Sequence, residues 1–281
     1  YGEWCGGPDR NGLWFDPSSA QWTEAQWLED WDMLAARYRN CPQVVGFDLR
    51  NEVRFCPWPF RWPSFAGSGA EQLVGGCDWA QAAATCAERV LRLDPKLLIV
   101  VERVIWPMRG LGPYAEALLP RFKDRLVLGA HHYSWNGPGR YLAFGHMMTA
   151  GWQGHTKPLL RALRVFSRQN YGDMSLECLR EEVRGQWGAL LEAETCPVWI
   201  SEFGACSGGY DWEWFEKFVE VLGELDADYA YWPLNAGPKP GCGGGEPYGL
   251  LGADFAPKPE GDCRVDLMVK HGLLPKAAPA S

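Results

Sequence analysis

The sequence predicts an α/β fold, a TIM (β/α)8 barrel, on three observations. Short apolar segments alternate with helical patterns of about 10 to 16 residues, the rhythm of parallel βαβ units. Polar and ionisable residues gather immediately after those apolar segments: Asn51 and Glu52, Glu102, His131 and Tyr133, Glu202, then Trp232. A doubly wound sheet concentrates its site at one crevice, whereas a barrel carries functional residues at the carboxyl ends of many strands. The third observation is the count. Five strands are legible against the eight of a closed barrel, so the barrel is expected to be incomplete, its first three strands lying ahead of Tyr1.

In chain order, residues 1–22 are rich in Gly, Pro, Asp and Trp and carry no period, which reads as loop. Thr23 and Gln26 make a T-x-x-Q capping box. Trp27, Trp31, Leu34 and Tyr38 follow at helical spacing, until Pro42 breaks the pattern. The first strand is Val44 to Glu52, VVGFDLRNE. A buried parallel strand is almost continuously apolar, so the polar run that ends this one marks a site. After a loop from Arg54 to Cys77, Asp78 caps a helix bearing Trp79, Ala83, Cys86 and Val90. Asp94-Pro95 ends that helix before the strand Leu97 to Val101.

The third strand, Leu126 to Ala130, runs into His131, His132 and Tyr133, and a long insertion follows from Ser134 to Asp173. Ser175 caps a helix with Leu176, Leu179, Val183, Trp187 and Leu191, which leads to the strand Pro197 to Ser201. Asp211 opens a last helix, with Trp214, Phe215, Phe218, Leu222 and Leu225, before the strand Tyr229 to Trp232. Residues 1–260 are read as one catalytic domain lacking its first strands, and 261–281 as a carboxyl-terminal extension. That extension has an apolar patch (Val265, Leu267, Met268, Val269) and an Ala/Pro/Ser-rich close.

Composition narrows the function. The 281 residues are 47% hydrophobic, enough for a sizeable core, and the formal net charge of -8 argues against a nucleic-acid partner. No apolar run of about 18 residues is present to span a membrane. Sixteen Trp supply flat faces suited to sugar rings as well as to cores. Ten Cys, dispersed and outside any C-x-x-C pair, fit disulfides and an oxidising compartment better than zinc. The chain begins at Tyr1 and shows no signal peptide, yet secretion is the expected localisation.

Two carboxylates stand out, Glu52 and Glu202, each directly after a predicted strand. Cleavage of a glycosidic bond needs a carboxylic acid for the leaving oxygen and a carboxylate opposite it; a separation of roughly 5 to 5.5 Å makes the reaction retaining. Glu52 would serve as acid and then base, its proton affinity raised by burial and by the second carboxylate, and Glu202 as nucleophile. Taken singly, each Glu reads as a strand-end carboxylate, solvated or paired with a nearby Arg such as Arg50, in preference to a catalytic group.

The motifs DLRNE (48–52), HHY (131–133), SEFG (201–204) and YWPLNAG (231–237), in this order and each after a strand, resemble family 5 glycoside hydrolases, the cellulase family of the retaining (β/α)8 clan. The opening WCGGPDRNGLWF looks like the loop after the third barrel strand of secreted members. The resemblance implies Glu52 as acid/base and Glu202 as nucleophile, with Asn51 on the sugar 2-hydroxyl. It also implies that His131 and Tyr133 orient the nucleophile and that Trp232 is a platform under the sugar. The family's Arg near the second strand and His near the third would lie before Tyr1.

The implied protein is a secreted, monomeric endo-β-1,4-glucanase that takes a polysaccharide or oligosaccharide substrate and uses no metal or cofactor. Alternatives are a fragment that binds carbohydrate without cleaving it, or a member acting on mannan, exo-β-glucosides or glycolipids. Among weaker signals, His132 reads as a packed residue in preference to a metal ligand. Glu102 reads as a substrate contact or a salt-bridge partner of Arg103 or Arg50, and Trp106 and Trp135 as subsite platforms or rim packing. Gly241 to Gly245 lacks the Lys-Ser/Thr pair of a phosphate loop. Ser207 misses the first Gly of a nucleophile elbow.

Overall fold

The computed structural model describes residues 12–16, 19–53, 78–104, 110–134, 175–208, 210–235, 248–252, 254–256, 258 and 261–275. Among them are five strands, β1 (Gly46–Asp48), β2 (Leu98–Glu102), β3 (Leu126–His132), β4 (Val198–Phe203) and β5 (Asp228–Tyr231). They form one parallel sheet in sequence order, β1-β2-β3-β4-β5. Sequential parallel strands with helices between them are five βα steps of a TIM barrel, so the expected fold class stands. The chain divides into two compact units, Tyr1–Ala130 with Gly185–Trp199, and His131–Arg184 with Ile200–Ser281.

In the first unit, α1 (Glu24–Tyr38) starts where the capping box predicts, the Thr23 hydroxyl accepting the Gln26 N–H at 3.1 Å. Its tryptophans make an aromatic seam: Trp31 lies 5.2 Å from Phe47 of β1, and Trp27 lies 6.1 Å from Trp79. Trp79 opens α2 (Trp79–Leu93), capped by Asp78. One face of α2 is almost all alanine, with Ala82, Ala83, Ala84 and Ala87 buried beside Trp79, Cys86 and Val90. Small side chains let a helix lie close to its neighbours, and the Arg89–Asp32 ion pair joins α2 to α1.

Strand β1 is shorter than the apolar run suggested. Three residues pair with β2 in the register Gly46↔Leu98, Phe47↔Ile99, Asp48↔Val100, and the Leu49 N–H extends the ladder to the Val100 carbonyl at 3.1 Å. Gly46 is required there, because a Cβ would sit 2.7 Å from the Leu98 carbonyl oxygen. Between β2 and β3 lies a helix that the sequence reading did not identify, α3 (Gly112–Phe122). Pro113 lies in its first turn and Pro120 inside it, so proline punctuation hides an amphipathic pattern that buries Tyr114, Ala115, Leu118 and Phe122.

The helix expected after Ser175 is α4 (Leu176–Val183), a π-helical turn (Arg184–Gly188) and α5 (Ala189–Glu192). A π turn replaces the i→i−4 ladder locally by i→i−5 bonds. The Gln186 carbonyl accepts the Leu111 N–H at 2.6 Å, and the Gln186 side chain accepts from Arg103 at 2.6 Å.

In the second unit, α6 (Tyr210–Glu224) buries Trp214, Phe215, Phe218, Val219 and Leu222. The residues after 260 carry a further helix, α7 (Arg264–Lys270), with Arg264 and Met268 buried. None of the described residues forms a helix long and apolar enough to cross a membrane. Cys41, Cys86, Cys178, Cys196 and Cys263 are free thiols. Cys86 and Cys196 behave as small apolar core residues, 0% and 3% exposed, which an even count of cysteines does not distinguish from disulfides.

Candidate active site

At the end of β1 the chain turns sharply through Asn51 and Glu52. Apolar anchors bracket the turn, Leu49 at 1% and Val53 at 0% exposure. Arg50 is tied down by its Nε, which donates to the Leu13 carbonyl at 3.0 Å. Glu52 occupies the left-handed region, φ 50°, a conformation that costs a residue with a Cβ and needs compensation. The compensation comes from β2: the Glu52 N–H donates to Glu102 Oε2 at 2.8 Å. Glu102 is itself buried at 2% exposure, and its carbonyl accepts the Trp79 indole N–H at 2.9 Å.

In the second unit β3 ends in His131 and His132, followed by Tyr133. Alternation along a strand puts His131 and Tyr133 on one face and His132 on the other. The structure follows that rule. The Tyr133 hydroxyl donates to Glu202 Oε2 at 2.8 Å, and His131 Nδ1 lies 3.3 Å from the same oxygen. The His131 and Glu202 side chains are only 3% and 15% exposed, so both contacts operate away from bulk water, where they are strongest. His132 is packed, 4.6 Å from the Phe218 ring and stacked on Trp214 at 6.1 Å.

Trp232 follows β5 and is held to β4, the strand of Glu202, by its backbone, its N–H donating to the Phe203 carbonyl at 2.8 Å. Its side chain is 38% exposed, available to a flat ligand, and the Trp232–Pro233 peptide is cis. Gly204, two residues after Glu202, lets the Trp232 carbonyl approach: a Cβ there would be 2.2 Å from that oxygen.

Behind this face sits a buried cation. Arg264 is 0% exposed and paired with Asp262. Its guanidinium donates to the carbonyls of Ala205 (2.6 Å), Tyr248 (2.8 Å) and Gly249 (2.8 Å) and to the Tyr231 hydroxyl (3.1 Å). Burial lowers its hold on the proton, but the Asp262 hydrogen bond and the charges of Tyr231 and Asp262 outweigh that and keep it more firmly protonated. The Tyr248 ring, fixed through its own carbonyl, meets Tyr133 at 6.1 Å. Arg264 thus braces the loop after β4 and, through Tyr248, the tyrosine on Glu202.

Of the residues singled out from sequence, Asn51 and Glu52 share one turn of the first unit. His131, Tyr133 and Glu202 form one cluster of the second, and Trp232 is joined to the Glu202 strand through its backbone. The supports were not foreseen. Glu102 accepts a backbone N–H, a role the sequence does not announce, and Tyr248 and Arg264 lie in Gly-rich and tail segments without periodicity. Trp106, Trp135 and Gly241 to Gly245 lie outside the described residues, as do the whole 54–77 loop and the insertion beyond Ser134.

Residues 9–238 match the model of the cellulase family, glycosyl hydrolase family 5. The chain is 27% identical over 253 residues to an endoglucanase of Paenibacillus polymyxa, an alignment that covers 83% of this chain and 51% of that protein. It is 33% identical over 161 residues to the major extracellular endoglucanase of Xanthomonas campestris pv. campestris, covering 51% of this chain and 30% of that protein. The solved catalytic domain of the Xanthomonas campestris major endoglucanase superposes with a TM-score of 0.65 at 23% identity, over 94% of this chain and 66% of that one. A hyperthermophilic endocellulase from Pyrococcus horikoshii gives 0.61 at 20% identity, over 92% and 65%. The chain therefore spans about half the length of the Paenibacillus polymyxa relative and under two-thirds of these solved domains. With most of its length matched to one family model and its fold shared with these solved structures, the chain belongs to the cellulase family, glycosyl hydrolase family 5.

Proposed function

We propose that this protein is a secreted endo-β-1,4-glucanase that hydrolyses β-linked glucans by retaining double displacement. Glu202 attacks the anomeric carbon while Glu52 transfers its proton to the departing glycosidic oxygen, giving a glycosyl ester on Glu202. Glu52, now a carboxylate, removes a proton from water, which attacks the same carbon and releases Glu202. Asn51 offers a donor and an acceptor to the sugar 2-hydroxyl, and Trp232 offers a face for stacking.

The observation that carries this reading is the pair of contacts on Glu202 Oε2, from the Tyr133 hydroxyl and from His131. A charge-assisted bond fixes the rotation of the carboxylate, and it strengthens again when the ester breaks and charge returns to that oxygen. Family membership supplies the reaction class, the relatives' names point to endo action on glucans, and the Xanthomonas campestris relative is named as extracellular.

The test is Glu202→Gln in the intact protein, with release of reducing sugar from a soluble cellulose and of phenol from an aryl β-cellobioside. Both are expected to fall by about 10⁴-fold or more, as for loss of a nucleophile. Undiminished turnover would remove the assignment.

A further inference from the structure

We infer that Glu102 is a positioning residue for the acid/base Glu52, holding its backbone in the left-handed turn that aims it; the inference rests on the acid/base reading of Glu52. Three observations carry it. Glu52 is a non-glycine residue at φ 50°, a geometry that does not persist at a strand end without support. The support is a buried carboxylate: Glu102 Oε2 accepts the Glu52 N–H at 2.8 Å while the residue is 2% exposed. Glu102 is in turn held by its neighbours. Its carbonyl receives the Trp79 indole, it pairs in register with Gly129 of β3, and its Cγ lies over the position where a Gly129 Cβ would stand 3.0 Å away.

A buried carboxylate is costly unless hydrogen-bonded, and a solvated backbone N–H needs no such partner. A buried carboxylate directed at a backbone donor makes sense where the direction of that residue's side chain matters. Strand β2 thereby sets the aim of a residue that follows β1. Glu102 touches no reacting atom in this role; it acts through Glu52.

The distinguishing readout is dependence on the leaving group. A displaced general acid slows departure of a sugar alkoxide, which needs a proton, far more than departure of 2,4-dinitrophenolate, which does not. In the intact protein, Glu102→Ala is expected to lower kcat/KM on cellotetraose about 100-fold, the scale of a catalytic group misplaced by an ångström. The first-step rate on 2,4-dinitrophenyl β-cellobioside should change less than about 5-fold. Glu102→Gln keeps an oxygen acceptor and is expected to remain within about 3-fold on both substrates. Should Glu102→Ala fail to fold, Glu102→Asp, which retracts the acceptor by one methylene, is expected to show the same split between substrates.

Equal losses on both substrates, or Glu102→Gln impaired as severely as the truncation, would overturn the role. Glu52→Ala is the control. A split in Glu52→Ala with none in the Glu102 variants rejects this inference alone, whereas no split in Glu52→Ala rejects the acid/base reading itself.

Discussion

Tyr133 and Glu202 are joined by a 2.8 Å hydrogen bond between the ends of neighbouring strands β3 and β4. A bond to a charged group contributes about 1.5–3 kcal/mol, and each 1.36 kcal/mol is tenfold in rate. Tyr133→Phe keeps the ring against Tyr248 and removes only the hydroxyl. It is expected to lower kcat on cello-oligosaccharides by about 10- to 100-fold with little change in melting temperature. A melting temperature that falls in step with kcat would mean the hydroxyl serves the fold and not the orientation of Glu202.

Gly204 permits a backbone approach that no other residue allows. With a Cβ, the Trp232 carbonyl would be 2.2 Å away, and the atom in the way is backbone, so relief requires moving the strand end that carries Trp232. Gly204→Ala is expected to destabilise by about 2 kcal/mol or more, in the range of backbone and overpacking effects. Equilibrium urea unfolding measures the loss, and Trp232 fluorescence should report a changed environment.

The Asp262–Arg264 pair makes stability fall with acid. Burial pushes the Asp262 carboxyl up, but hydrogen bonds and charge from Arg264 outweigh it and leave it below its ordinary value of 3.8. A depressed carboxylate stabilises the fold at pH above that ordinary value, and the contribution is lost as pH falls through the lower folded value. Asp262→Asn is expected to be less stable at neutral pH, with a shallower decline below about pH 4. Urea unfolding as a function of pH checks both. Arg264→Met leaves Asp262 without its guanidinium and is expected to cost about 3 kcal/mol or more.

Cysteine reactivity should divide by position. Burial pushes the Cys196 thiol up to about 11, and burial followed by the Asp32 carboxylate pushes Cys86 well above its usual range. Thiolates do the reacting. In native protein at pH 8, iodoacetamide is expected to label Cys178 and Cys263, both exposed, and to spare Cys86 and Cys196 until denaturant is added. Mass spectrometry of the labelled peptides reads the outcome.

The sequence was most legible where one side chain dominates its surroundings. Thr23 and Asp78 cap the helices they were expected to cap, and the strand-end residues Asn51, Glu52, His131, Tyr133 and Glu202 fall at strand ends, because period and capping are local properties. Partnerships across distance were opaque. Nothing around Glu102 in the chain announces that it will meet a backbone amide 50 residues earlier. Helix α3 was obscured by Pro113 and Pro120, and the role of Arg264 depends on carbonyls of Ala205, Tyr248 and Gly249 that any residue would supply. Backbone acceptors leave no signature in the residue string.

The buried guanidinium of Arg264 also has a consequence for biosynthesis. The carbonyls of Ala205, Tyr248 and Gly249 are made first and have no claim on that cation until α7 leaves the ribosome. A nascent chain stalled before residue 264 already holds Glu202, Tyr133 and Trp232, yet lacks the brace that sets the loop beyond them. The contacts that brace this loop therefore close late in translation, and the guanidinium that makes them lies 62 residues after Glu202.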